Sequence, residues 1–133
     1  MPVAVISGAS SGIGKATALL FAKNGYDLSL TGRNQAALEE VIVTAIELTD
    51  ENAPKQIVEA TLAKYSKIDT LINSAGILRN GMVIDAEIDV YDEIMNVNVR
   101  SLVRLTRAAL PHIIAQKGTI VNVSSITGPC PVS

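Results

Sequence analysis

The chain has 133 residues, room for at most one domain. Hydrophobic residues make up 48% and charged residues 18%, a composition that can build a core and excludes a disordered chain. The net charge of −2 argues against electrostatic binding to nucleic acid or to an anionic membrane.

Cys130 is the only cysteine, so the chain has no internal disulfide and no thiolate cluster for a metal. His112 is the only histidine and follows Pro111, the setting of a surface helix end rather than a catalytic group. No metal site is expected. There is no long apolar run and no charged leader, and the first strand begins almost at Met1. These features suit a soluble cytoplasmic protein.

Residues 3–6 (Val-Ala-Val-Ile) are apolar and mostly β-branched, and Gly8 follows closely. They read as a buried strand. After Gly14 the period changes, with Ala18, Leu19, Phe21 and Ala22 on one helical face and Asn24-Gly25 as the stop. Ser7-Gly8-Ala9-Ser10-Ser11-Gly12-Ile13-Gly14 therefore lies on a strand-to-helix turn. Glycines there allow positive φ and leave no Cβ to hold off a ligand. The helix start offers free N–H groups and a positive dipole end, a seat for a pyrophosphate. Ser10 and Ser11 add hydroxyls. The spacing G-x-x-x-G-x-G differs from the commoner G-x-G-x-x-G. The plain alternative is a glycine-rich turn that binds nothing.

Asp27-Leu28-Ser29-Leu30-Thr31 alternates and reads as a second strand, completing a βαβ unit. The next residues, Gly32-Arg33-Asn34, contain no acid to bind ribose hydroxyls. Arg33 suits a 2′-phosphate through a two-pronged, charge-assisted bond, which favours NADP and makes NAD less suitable. Its alternative is a solvated loop charge. Residues 41–46 are β-branched and read as a third strand, although only about nine residues link it to Thr31 and a parallel crossover takes about a dozen or more. One helix through 34–49 is the rival reading. Residues 51–66 read as a helix capped by Asp50 or Asn52, with Pro54 in its first turn. Residues 68–73 form the next strand, ending in Asn73-Ser74-Ala75-Gly76. An irregular connection over 78–87 leads into a long amphipathic helix over 89–116, with Ile94, Val97, Leu102, Leu105, Ala109 and Ile113 as its buried side. Residues 118–125 read as a fifth strand, and 126–131 as a tail without regular structure.

The glycine turn resembles the cofactor loop of the short-chain dehydrogenase/reductase family, and further matches follow in order. Glu47-Leu48-Thr49-Asp50 is similar to the family's turn beside the adenine, with Glu47 where Asp is usual. Asn73-Ser74-Ala75-Gly76 resembles its Asn-Asn-Ala-Gly, with Ser74 as the departure. Asn96-Val97-Asn98-Val99 resembles the segment whose asparagine, here Asn98, joins the active site. Val123-Ser124-Ser125 resembles the element whose second serine, here Ser125, bonds the reacting oxygen. A satisfied structural amide at Asn98 and a turn serine at Ser125 are the alternatives.

The resemblance implies an α/β fold: a Rossmann-like, doubly wound parallel sheet in the order 3-2-1-4-5, truncated after strand 5. It makes 1–133 a single NAD(P)-binding domain, incomplete on its C-terminal side. It also implies hydride transfer between NADP(H) and a small-molecule alcohol or carbonyl. The expected catalytic residues are Asn98 and Ser125. The expected cofactor-binding residues are Gly8, Ser10, Ser11, Gly12, Ile13, Gly14, Arg33, Asn34, Glu47, Leu48, Asn73, Ala75 and Gly76. The family's Tyr-x-x-x-Lys is missing, since Leu30, Asp69 and Met95 stand four residues after Tyr26, Tyr65 and Tyr91. The chain alone is therefore expected to be inactive. The alternatives are a truncated, non-catalytic relative that binds a nucleotide or a partner, and an unrelated parallel-sheet protein such as a methyltransferase. The apolar side of 89–116, left open, is expected to drive homo-oligomer formation.

Overall fold

The computed structural model describes residues 1–32, 42–44, 46–125 and 129. The chain runs β1 (Val3–Ser7), α1 (Gly12–Lys23), β2 (Asp27–Thr31), β3 (Ile42–Thr44), α2 (Ala53–Tyr65), β4 (Thr70–Asn73), α3 (Ile88–Met95), a π-helical turn (Asn96–Arg100), α4 (Ser101–Ala115) and β5 (Thr119–Asn122). The strands form one parallel sheet in the order β3-β2-β1-β4-β5, as the sequence led us to expect.

β1 is the central strand and every residue in it is buried. Both faces of a parallel sheet are covered, so its strands are continuously apolar. Ala4, Ile6, Leu28, Leu30 and Ile72 pack with Ala18 of α1. On the other face, Val5 and Leu71 pack with Ile57 and Val58 of α2 and with Leu105, Ala109 and Ile113 of α4. Burying a side chain of this size contributes about 1.5–3 kcal/mol.

β2 forms as read, and its polar Ser29 and Thr31 are fully buried along with its leucines. The Ser29 hydroxyl lies 2.7 Å from that of Thr61, which also bonds the Ile57 carbonyl. Several expectations need correction. On α1, Ala18 is buried as expected, together with Gly14, and Phe21 is half-buried, but Leu19 and Ala22 point outward. The third strand pairs with β2, Ser29 opposite Ile42, so no helix runs through 42–44. Asn52 is the N-cap of α2 by position but makes no side-chain cap bond. The Asp50 carboxylate accepts the Asn52 N–H at 2.7 Å. The long helix is interrupted by the π turn at Asn96–Arg100, where one extra residue per turn re-aims the side chains. Of its expected buried side, Leu105, Ala109 and Ile113 are buried, while Ile94, Val97 and Leu102 are half-buried. No helix among the described residues is long and apolar enough to cross a membrane.

Candidate dinucleotide site

A cavity of about 550 Å³ opens at the carboxyl ends of β1, β2 and β4. In open α/β sheets, ligands bind at this place, where the strand order reverses. Its rim is made of three turns that lock together. Gly8 has φ +68°, and a Cβ there would lie 2.7 Å from Ala75 Cα, so only glycine lets the turn after β1 reach the turn after β4. Ser7 Oγ accepts the N–H groups of Ser74 at 3.2 Å and Ala75 at 3.3 Å. Ala9 N–H donates to the Thr31 carbonyl at 3.0 Å, which ties the loop to β2.

Gly12, with φ +53°, opens α1 and has no atom within 4 Å of where a Cβ would be, so space lies beside it. The Ser11 hydroxyl makes no cap bond to α1, which leaves the first N–H groups of the helix unspent by that side chain. Gly14 behaves differently. It is buried, and a Cβ there would collide with the Gly8 carbonyl.

The candidate residues separate by position. Gly8, Ser10, Ser11, Gly12, Ile13, Glu47, Leu48, Ala75 and Gly76 line the cavity. Gly14 and Asn73 do not, and both lie buried beneath it. Asn73 points down because strand alternation puts it on the same face as Leu71. Arg33 and Asn34 lie outside the described residues. Lining residues missed at the sequence level include Thr31, Gly32, Ile46, Thr49, Ser74, Ile77, Val97 and Val123. Most of them flank a motif residue, and that adjacency was the available signal.

Asn98 and Ser125 are absent from the cavity lining. The Asn98 amide is spent on the backbone: Oδ1 accepts Ile77 N–H at 2.7 Å and Nδ2 donates to the Ile77 carbonyl at 2.9 Å. Ser125 is exposed, beyond the end of β5. Among the described residues, no cluster of His, Cys, Asp and Glu could hold a metal ion.

The geometry fits a dinucleotide. Open space beside Gly12, a helix start that the Ser11 side chain does not cap and a cradle at Gly8 allow phosphates to approach the backbone.

Comparison with known proteins agrees. The short chain dehydrogenase family profile matches residues 2–133. The chain is similar to the 3-oxoacyl-[acyl-carrier-protein] reductase FabG of Thermotoga maritima, at 36% identity over 95% of this chain and 56% of the relative. It is also similar to the mouse dehydrogenase/reductase SDR family member 7, at 35% identity over 96% of this chain and 43% of the relative. Among solved structures, the apo glucose dehydrogenase of Caenorhabditis elegans superposes with a TM-score of 0.83 at 36% identity, covering 95% of this chain and 55% of that one. The ligand-free aldohexose dehydrogenase of Thermoplasma acidophilum gives a TM-score of 0.89 at 25% identity, with 95% and 50% covered. The chain spans about half the length of the curated relatives it matches.

Proposed function

The chain belongs to the short-chain dehydrogenase family, and from that premise we propose that residues 1–133 are the cofactor-binding part of an NADP-dependent oxidoreductase acting on an alcohol or carbonyl. The observation that carries this reading is the glycine turn, with open space at Gly12 and the close approach of Gly8 to Ala75. In this reading the start of α1, Ser10 and Ser11 hold the pyrophosphate. Arg33 takes the 2′-phosphate. Glu47 and Leu48 flank the adenine, and Ala75 and Gly76 pass the ribose. Bound NADP(H) supplies hydride transfer. Ser125 polarises the substrate oxygen. Asn98 holds the 77 backbone in place beside the nicotinamide end.

The sequence 1–133 contains no Tyr-x-x-x-Lys, the family's proton donor and its partner. Assembly of copies through the 88–115 segment belongs to the proposal as well, supported by exposed Tyr91, Met95, Val99, Val103 and Ile114. So does a cytoplasmic location, which suits a chain with one cysteine. The test is calorimetric titration with NADPH, NADH and S-adenosylmethionine. NADPH binding that Gly12→Val removes supports the reading, and equal affinity for NADPH and NADH overturns the NADP preference.

A further inference from the structure

Thr31, Ser7, Asn73 and Asn122 form a polar row across the carboxyl ends of four adjacent strands. Register sets the row. Ser7 lies opposite Asn73, Asn73 lies opposite Asn122, and Thr31 follows Leu30, the partner of Ile6. Asn73 is 3% exposed and Ser7 is 2% exposed. Buried polar groups are normally paired, yet Asn73 is only half paired. Its Nδ2 donates to Asn122 Oδ1 at 2.9 Å and to Thr106 Oγ1 at 3.1 Å. Its Oδ1 is buried and has no partner among the described residues.

Asn73 also lines a small cavity, together with Ser7, Ala75, Ser101, Leu102 and Leu105 among others. It gives about 10 Å³ of room to the centre of a water molecule, the space of a single one. Ser7 offers the complementary group. Its Oγ already accepts two N–H groups, from Ser74 and Ala75, so its own proton is left to donate. Ser101 Oγ is bonded to the Asn96 carbonyl at 2.8 Å and presents its lone pairs as a further contact. None of the lining side chains is a carboxylate or imidazole, so the site suits water rather than a cation.

We propose that this cavity is a built site for one internal water, which accepts the Ser7 hydroxyl proton and donates to Asn73 Oδ1. The water joins β1 and β4 and supports the 74–76 turn, part of the rim of the larger cavity.

The test is a crystal structure of the full chain at a resolution that shows ordered water, together with water–amide cross-relaxation by NMR. The expected result is density about 2.7–3.2 Å from both Ser7 Oγ and the Asn73 amide. Long-lived water cross-peaks should appear at the Ser74 and Ala75 amides. Leu102→Phe, which fills the same space, should abolish those cross-peaks. An empty cavity, a water bonded to neither side chain, or cross-peaks that persist in folded Leu102→Phe would overturn the proposal. If that variant does not fold, the two measurements on the unmutated chain decide alone.

Discussion

The Asn98 side chain pairs with both backbone groups of Ile77, accepting from its N–H and donating to its carbonyl. It does what a neighbouring strand would do for an otherwise irregular segment. Asn98→Ala leaves a donor and an acceptor without partners, and an unmade bond of this kind costs about 1–3 kcal/mol when buried. The site is only partly buried, so the lower part of that range is expected, read as a reduced urea midpoint. Asn98→Asp keeps the acceptor and loses the donor, so it should fall between the two. If Asn98→Ala is as stable as the unmutated chain, the clamp contributes nothing.

Two glycines in one turn should respond differently to valine. Gly14→Val drives a side chain into the Gly8 carbonyl, so gross destabilisation is expected in chemical denaturation. Gly12→Val meets no atom but strains a positive φ, at about 1–3 kcal/mol. Its branched side chain would project into the open space proposed for the phosphates. Loss of NADPH binding by calorimetry with most of the stability retained is the expected outcome.

In the proposed reading, Arg33 carries the preference for NADP. Hydrogen bonds to charged groups contribute about 1.5–3 kcal/mol, so Arg33→Asp should weaken NADPH by roughly ten- to a hundredfold. NADH should change little or gain. Parallel titrations of the two nucleotides decide it, and an equal loss for both would move the 2′-phosphate contact elsewhere.

Ser66 ends α2 with φ 64°, and its N–H donates to the Leu62 carbonyl at 2.8 Å. A left-handed conformation costs a residue with a Cβ about 1–2 kcal/mol. Ser66→Gly keeps the backbone bond and removes that strain, so a higher melting temperature is expected. An unchanged or lower value would mean that the serine hydroxyl offsets the strain.

The polypeptide 1–133 is expected not to turn over ketones or aldehydes at a useful rate. A positioned general acid contributes about a hundred- to ten-thousandfold, and neither Ser125 nor Asn98 titrates near neutrality. A single-turnover assay with bound NADPH, followed at the nicotinamide absorbance, checks this. Oxidation that is unaffected by Ser125→Ala would mean that the proton comes from another group.

The strands and the glycine turn were legible because each rests on local chemistry: a β-branched run, a glycine at each sharp turn, a change of period; the strand order came from the family resemblance. Residues whose roles depend on orientation were harder to read. Leu19 looks like core by hydropathy, but α1 is rotated so that Gly14 and Ala18 face the sheet, where the close approach at Gly14 leaves no room for larger groups. The π turn leaves no mark in an apolar pattern that reads almost as well with one residue more per turn. Asn73 was placed among cofactor contacts because its motif adjoins the site. Strand alternation, applied from Leu71, would have turned it underneath.

The central position of β1 also bears on how the chain reaches this fold. Its first neighbour, β2, lies one helix away, but its second, β4, is far along the sequence. Val3 N–H bonds Asp69 Oδ2 at 2.7 Å across a separation of 66 residues. Closing so long a loop costs entropy before the contact is made, and non-local pairing of this kind slows folding. β1 leaves the ribosome before β4 and must therefore keep one edge of backbone N–H and C=O groups unpaired until residues 70–73 have been synthesised. During that interval, hydrophobic Val3, Val5 and Ile6 are exposed to chaperones and to other nascent chains.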